Sequence, residues 1–149
     1  MFQILVILLL GCFVSAKTVK LTDACARSCD NSLSSAIFSD WEPSAPYDAR
    51  QCKSRLYSVS SYICLSQYCS LKSQKIALAL RNTTCQNKFH TTIPPFSILD
   101  KYTPELISHL SRIHFNETID PKYPLRKPVV VDGHFFSSWL ETLVCRQSG

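Results

Sequence analysis

Glycine is nearly absent from this chain: Gly11, Gly133 and Gly149 are its only glycines in 149 residues. A loop that cradles phosphate groups needs several glycines within a few residues, because its backbone must approach the phosphate closely. These three are too far apart to build such a loop. The sequence therefore excludes a Gly-rich nucleotide site, and we expect the chain to carry no cofactor.

A continuous basic stripe is also missing, although Lys and Arg outnumber Asp and Glu by 16 to 11 and the formal net charge is +5. The basic residues are scattered singly, and Arg126-Lys127 is their longest run. Nucleic-acid-binding proteins cluster such residues on one face or along one helix, so we expect no nucleic-acid partner. We interpret the charge as a modestly basic surface, and an acidic cell wall polysaccharide or a phospholipid surface is the alternative partner that it suggests.

Charged side chains are absent from residues 2–16, which include an apolar run from Ile4 to Leu10, and the amino terminus supplies the only positive charge there. The small residues Val14 and Ala16 suit the positions that signal peptidase reads, so we interpret this segment as a secretory signal peptide cleaved after Ala16. The segment departs from the usual pattern in having no Lys or Arg near its start.

A bacterial lipoprotein signal is the alternative, with Leu9-Leu10-Gly11-Cys12 as the lipid-attachment motif. No later segment approaches the roughly 18 apolar residues of a membrane span. We therefore expect residues 17–149 to be secreted as a single domain, held at the cell surface only if a membrane region accompanies it.

Seven of the eight cysteines follow the predicted cleavage site. Six of them form a ladder: Cys25, Cys29, Cys52, Cys64, Cys69 and Cys85. The seventh is Cys145, near the end of the chain. In a secreted protein this count predicts three disulfides and one odd thiol. Because no general base lies near Cys145 in sequence, we expect it to form an intermolecular disulfide rather than to act as a nucleophile.

Apolar spacing predicts a mainly α fold: a small disulfide-stabilised helical domain with a long Pro-rich loop region. Apolar residues recur at three- and four-residue steps from Thr22 to Phe38, which is typical of one face of an amphipathic helix. A second helix is predicted from Asp48, as its N-cap, to about Gln67. A third is predicted over about Gln74–Leu80. Its inward residues are expected to be Ile76, Ala77 and Leu80. These helices would form a core over about residues 22–85.

Residues 86–149 are predicted to hold a Pro-rich segment and the C-terminal helices. Thr103, as N-cap, and Pro104, at the first helical position, open a short fourth helix whose last apolar position is Ile113. The loop that follows is expected to contain a short extended piece at Val129–Val131.

A last helix is predicted to begin after Asp132, which would cap it. Its apolar face consists of Phe135, Phe136, Trp139, Leu140, Leu143 and Val144.

Two sequons, Asn82-Thr83-Thr84 and Asn116-Glu117-Thr118, predict N-glycosylation at Asn82 and Asn116 and fit an oxidising secretory route. Asn82 lies near the end of the predicted third helix.

The geometry of helices restricts how the ladder can pair. Cys25 and Cys29 are one turn apart, where Cβ atoms are about 5–6 Å from each other, whereas a disulfide needs about 3.8 Å. Cys64 and Cys69 would lie on different sides of an unbroken helix, so one of them, which we take to be Cys69, should lie at its end. A hairpin of the first two helices favours one of the fifteen pairings open to six cysteines. That pairing is Cys25–Cys69, Cys29–Cys64 and Cys52–Cys85.

Four histidines raise the question of a metal site: His90, His109, His114 and His134. His109 and His114 are five residues apart, so on a straight helix they would point to different sides, unlike the i, i+4 pair of a zinc helix. The other two have no carboxylate or thiol at ligand spacing. We expect surface histidines and no metal site.

Asp40 and Glu42 flank Trp41 in a Pro-rich loop and could contact iron or another ligand. A solvated loop with a partly buried Trp is the interpretation that we prefer. No residue of the chain is assigned a catalytic role.

The order and spacing of the cysteines resemble the extracellular N-terminal domain of fungal ferric reductase transmembrane proteins. The resemblance covers about residues 24–144. It is carried by Cys25-Ala-Arg-Ser-Cys29, Leu33-Ser-Ser, Phe38-Ser39, Cys52, Tyr62-Ile63-Cys64-Leu65, Tyr68-Cys69, Leu80-Arg81-Asn82-Thr83-Thr84-Cys85, Leu125-Arg126-Lys127-Pro128-Val129-Val130-Val131, Phe136 and Thr142-Leu143.

The resemblance implies a non-catalytic ectodomain linked to cell-surface iron reduction and uptake. In that family, membrane helices with two haems follow, and then a domain that binds flavin and NADPH. Neither is present in this sequence, and Cys145 lies outside the six-cysteine pattern, so the chain is read as a solo ectodomain or a truncated gene product. The implied partner is a membrane reductase core. The alternative is a free-standing secreted cysteine-rich glycoprotein, an effector or a binder of a cell wall component.

Overall fold

The computed structural model of the chain describes residues 21–115 and 119–146, and it confirms a mainly α, disulfide-stabilised domain. The predicted signal peptide and Asn116 lie outside these residues. Six α-helices are present in them: α1 Leu21–Ser32, α2 Tyr47–Lys53, α3 Arg55–Tyr68, α4 Leu71–Phe89, α5 Pro104–Ser108 and α6 Gly133–Arg146. A 3₁₀ helix spans Phe96–Lys101, and a parallel two-stranded sheet pairs β1 Arg112–Ile113 with β2 Val130–Val131.

The central helix is α3, which is buried along an unbroken run from Tyr57 to Leu65. Its polar atoms are satisfied within the core: the Tyr62 hydroxyl donates to the carbonyl of Pro94 at 2.6 Å, and the Ser60 hydroxyl oxygen accepts from the Val129 amide at 3.0 Å. A helix that is buried on all sides needs such partners, because an unpaired buried polar group costs about 1–3 kcal/mol. Helices α1, α2 and α4 pack against it, and α6 packs against α1.

The six cysteines of the ladder form the three disulfides that helix geometry favoured, so the predicted pairing is confirmed. Cys25–Cys69 and Cys29–Cys64 connect α1 to α3, each with a Cα–Cα distance of 5.8 Å, and Cys52–Cys85 connects α2 to α4 at 5.5 Å. Cys69 is the C-cap residue of α3, as expected.

Cys145 differs from the prediction. None of the described cysteines is a free thiol, and Cys145 is disulfide-bonded. The expectation of an odd thiol at this position is therefore wrong for this structure.

Helix α1 ends at Ser32 and not at Phe38 as the periodicity predicted. Phe38 instead forms a parallel bridge with Leu125, in which the Leu125 amide donates to the carbonyl of Ile37 and the Ser39 amide donates to that of Leu125, both at 2.8 Å. These contacts require an extended backbone, so pairing with a distant segment overrides the local helical pattern.

The predicted second helix is divided into α2 and α3 at Ser54, whose backbone is extended. The Ser54 hydroxyl donates to Asp40 Oδ1 at 2.7 Å and accepts from the Tyr57 amide at 2.9 Å. Ser54 is therefore the N-cap of α3. Asp48, predicted as an N-cap, lies instead in the first turn of α2, which follows Pro46.

Helix α4 is much longer than predicted and is rotated relative to the expected face. Ile76 and Leu80 are 48% and 62% exposed, whereas Ser73, Gln74 and Cys85 are buried. The Gln74 side chain donates to the carbonyl of Cys69 at 2.9 Å. That hydrogen bond and the disulfide of Cys85 fix the rotation, so the expectation that Ile76 and Leu80 pack inward is wrong.

Helix α5 begins at the capping residues that the sequence predicted. Thr103 accepts from the Leu106 amide at 3.2 Å, with Pro104 in the first turn of α5. Helix α5 ends at Ser108, so Ile113 lies in β1 rather than on that helix.

The last helix is also capped as predicted, since Asp132 Oδ1 accepts from the amides of His134 and Phe135 at 3.0 and 3.3 Å. The short extended piece before it is present as β2. Tyr68 of α3 stacks on Phe136 of α6, with ring centroids 4.5 Å apart. No helix in the described part of the chain is both long and apolar enough to cross a membrane.

Candidate functional site: a cleft between α1, α2 and α4

An open cleft of about 290 Å³ lies where α1, α2 and α4 meet. Helix α1 contributes Arg27 and Asp30, and α2 contributes Asp48 and Gln51. The wall formed by α4 contains apolar and basic residues: Ile76, Ala77, Leu80, Arg81 and Phe89. The cleft thus combines an apolar wall with charged side chains of both signs.

The Cys52–Cys85 disulfide lines the cleft and joins two of its walls. Both cysteines are buried, at 5% and 1% exposure. A covalent link between α2 and α4 fixes the spacing of the walls before a ligand arrives, which lowers the ordering cost of binding.

A hydrogen-bonded network underlies the cleft and centres on Tyr57, which is fully buried. Its hydroxyl donates to Asp30 Oδ1 at 3.0 Å and accepts from Gln51 Nε2 at 2.9 Å. The Arg81 guanidinium lies over the Tyr57 ring, 4.5 Å from its centroid, and donates to Ser61 Oγ at 3.0 Å. A second bond from Arg81 reaches the carbonyl of Gln51 at 3.3 Å.

Burial dominates the electrostatics of this network. Asp30 is exposed as a residue, but its carboxyl group lies against the buried Tyr57. Desolvation there raises its pKa above 3.8 against the opposing effects of Arg81 and of the hydrogen bond from Tyr57. Burial likewise raises the pKa of Tyr57 well above 10.0. Tyr57 therefore keeps its proton at physiological pH and holds Asp30 in place, so the network fixes the shape of the cleft.

The exposed apolar residues of α4 are what the sequence analysis missed. Ile76 and Leu80 are one turn apart and stand over the cleft instead of in the core. One signal could have revealed this arrangement. Cys85 must face inward, and helical spacing places Arg81, Ala77 and Gln74 on its side of the helix, which turns the apolar pair toward the edge.

The four histidines do not form a site. All are exposed; His109 follows α5 and His114 follows β1, so they do not share a helix. His114 Nδ1 lies 3.7 Å from Asp132 Oδ2. Among residues 21–115 and 119–146, no group of three or more His, Cys, Asp or Glu side chains is arranged to hold a metal ion.

The loop around Trp41 has a structural role. Asp40 is exposed, as expected, and also caps α3 through Ser54 and the Leu56 amide, while Glu42 pairs with Lys53 at 3.7 Å. Trp41 is partly buried, as predicted, against Phe38.

Comparisons with known proteins find no matching family model, no similar curated protein and no similar solved structure. The cleft and the cysteine ladder are therefore the features on which a proposal of function rests.

Proposed function

We propose that this chain is a secreted, non-catalytic binding domain that works beside a membrane ferric reductase, like the ectodomain that its sequence resembles. The cleft between α1, α2 and α4 is its binding site. The observation that carries the proposal is the exposed apolar pair Ile76 and Leu80 above a cleft whose walls are joined by a disulfide. Exposed apolar residues grouped at a concave site are typical of interaction surfaces.

The volume of the cleft favours one class of occupant. Pockets for drug-sized ligands measure about 300–1,000 Å³, and this cleft, at about 290 Å³, lies just below that range. A single large side chain of a partner protein fits it better than a complete ferric chelate. Such an anchor, inserted among Ile76, Leu80 and Phe89, is the usual centre of a protein interface.

The polar groups of the cleft support binding rather than catalysis. The Tyr57 hydroxyl is held between Asp30 and Gln51, and Arg81 is held by Ser61 and by the Tyr57 ring. Groups engaged in this way orient a partner and cannot readily exchange protons with a substrate.

The non-catalytic proposal predicts that purified residues 17–149 show no haem absorbance and do not reduce ferric chelates with NADPH. Electrons from NADPH would have no bound carrier, since the family's carriers belong to its membrane and nucleotide-binding parts. Absorption spectroscopy and a ferric-chelate reduction assay check this. A Soret band that co-purifies with the protein, or turnover above a buffer blank, would overturn it.

Binding to the partner is tested with the membrane core of a fungal ferric reductase, produced without its own ectodomain in lipid nanodiscs. The proposal predicts saturable binding at micromolar concentration or below, with empty nanodiscs as the control. Equal binding to loaded and empty nanodiscs would contradict a protein partner and would indicate a phospholipid surface.

A second candidate is a free-standing secreted glycoprotein that binds a cell wall component, and the net charge of +5 favours it. It predicts retention on an acidic wall polysaccharide that falls steeply as salt screens the charges. Induction during host contact supports this candidate, whereas induction by iron starvation supports the first.

A further inference from the structure

The Asn82 sequon lies in an unusual place. Glycosylated sequons belong to surface loops, yet Asn82, Thr83 and Thr84 all lie inside the helix Leu71–Phe89. The backbone of an interior helical turn is closed by its own hydrogen bonds and offers no extended segment to an enzyme. The folded chain therefore presents this sequon in a form unlike the usual acceptor.

The side chains of the sequon are also engaged. Asn82 is half-buried, and its Oδ1 accepts from the Ile93 amide at 3.3 Å. The Thr84 hydroxyl donates to the carbonyl of Leu80 at 2.9 Å. Asn82 also lines a groove with Tyr62 and Phe96. Presenting the Asn82 amide to an enzyme requires opening both the helix and its contact with the segment after it.

The Cys52–Cys85 disulfide holds this part of α4 in place. Cys85 lies three residues after Asn82, on the next turn, and is 1% exposed. Once the bond has closed, the turn that contains Asn82 is tied to α2 on one side and to Ile93 on the other. Local opening there then becomes rare compared with opening of a free helix end.

We propose that Asn82 accepts a glycan only while the chain is unfolded, and that closure of Cys52–Cys85 with packing of α4 ends its competence as an acceptor. The inference requires entry into a secretory pathway but not the proposed reductase partner.

In the transfer, Asn82 Nδ2 forms a bond to the anomeric carbon of a lipid-pyrophosphate-linked oligosaccharide. The bond from that carbon to phosphate breaks, the lipid pyrophosphate leaves, and the proton lost from Nδ2 passes to a base of the transferase.

The relevant times overlap. The 67 residues after Asn82 take about 3–13 s to synthesise at roughly 5–20 residues per second. Disulfides form in seconds or more, and most of the stability of a helix in a protein comes from its tertiary packing. Asn82 can therefore react until the disulfide forms and α4 packs, rather than only until the helix forms. Because synthesis and disulfide formation take similar times, we expect partial glycan occupancy at Asn82.

The test uses the full chain in eukaryotic secretory cells, with a reference sequon Asn-Gly-Thr added after Gly149. Glycan occupancy at both sites is measured by mass spectrometry on the intracellular pool, so that variants that fold poorly are still counted. We expect Asn82 to be occupied less than the reference in the wild type. Replacing both Cys52→Ser and Cys85→Ser should raise its occupancy at least about twofold, toward the reference level.

A second arm uses purified unglycosylated protein with the transferase and lipid-linked oligosaccharide, comparing the folded chain with the reduced and alkylated chain. Only the reduced chain should be modified at Asn82, while the reference sequon is modified in both; Asn82→Gln is the site control. Modification of folded and reduced chains to the same extent would overturn the proposal. A low occupancy that the cysteine substitutions leave unchanged would overturn it as well, because folding would then not be the cause.

Discussion

At the residue scale, one buried hydroxyl organises the candidate site. Tyr57 joins Asp30 of α1 to Gln51 of α2, and its ring supports Arg81 of α4. Three walls of the cleft therefore depend on a single side chain. Hydrophobic periodicity can place Tyr57 on a buried helix face, but it cannot identify the partners of its hydroxyl, because these come from other helices.

Because of Asp30, the contribution of this network to the free energy of unfolding should depend on pH, and the direction of that dependence follows from its pKa. Its pKa is raised in the folded protein by burial, so the stabilisation of its neutral form is complete below pH 3.8 and is lost as the pH rises through the folded-state pKa. Asp30→Asn keeps an oxygen acceptor for Tyr57 and stays neutral. Below pH 3.8 we expect the variant and the wild type to have similar free energies of unfolding. As the pH rises toward 7, we expect the variant to become more stable than the wild type, because only the wild type loses this stabilisation.

Urea unfolding from pH 3 to 7 measures this difference, with Asp48→Asn as the control for loss of one negative charge from the same cleft. A wild type that becomes more stable relative to Asp30→Asn as the pH rises would show that attraction to Arg81 outweighs burial.

At the scale of elements, the sequence predicted the features that depend on local interactions, and it did not predict the features that depend on contacts with distant parts of the chain. The caps Thr103 and Asp132 and the pairing of Cys25 and Cys29 with α3 follow from spacing and chain geometry alone. The break at Ser54 does not, because Asp40 creates it from another loop. The rotation of α4 is likewise set by Gln74 and by the disulfide of Cys85, and this is why the cleft could not be foreseen.

Ser54→Ala tests the origin of that break. The substitution removes the N-cap of α3 and one partner of Asp40, and N-cap losses cost about 0.5–2 kcal/mol. We expect a loss of about 1 kcal/mol or more in the free energy of unfolding, measured by urea titration, because both contacts are lost together. Ser44→Ala, at an exposed position in the same region, is the matched control. A loss no larger than that of the control would show that the helix break does not depend on the cap.

At the scale of the whole molecule, the three disulfides of the cysteine ladder have two roles. Two of them fasten α1 to the central helix, and the third fastens α2 to α4 across the cleft. Their sequence separations of 44, 35 and 33 residues are similar. In the chain-entropy account their contributions to stability then differ by only about 0.3 kcal/mol.

Stability and binding should therefore respond differently when each pair of cysteines is replaced by Ser. Every variant should lose about 2–5 kcal/mol of unfolding free energy, but only Cys52→Ser with Cys85→Ser should also weaken partner binding under conditions where all three remain folded. Urea titration and affinity measurements on the three variants check this. Equal loss of affinity in all three would mean that the spacing of the cleft walls does not govern binding.

The central claim is that the cleft between α1, α2 and α4 is the binding site, and two Lys substitutions on α4 test it most directly. Leu80 lines the cleft, whereas Leu71, at 74% exposure, lies on the same helix outside it. Both substitutions add the same charge at an exposed leucine, so neither should change folding much. Affinity for the reductase core in nanodiscs should fall about tenfold or more for Leu80→Lys, equal to about 1.4 kcal/mol, and should stay within about twofold of wild type for Leu71→Lys. Equal affinities for the two variants would contradict the assignment of the cleft.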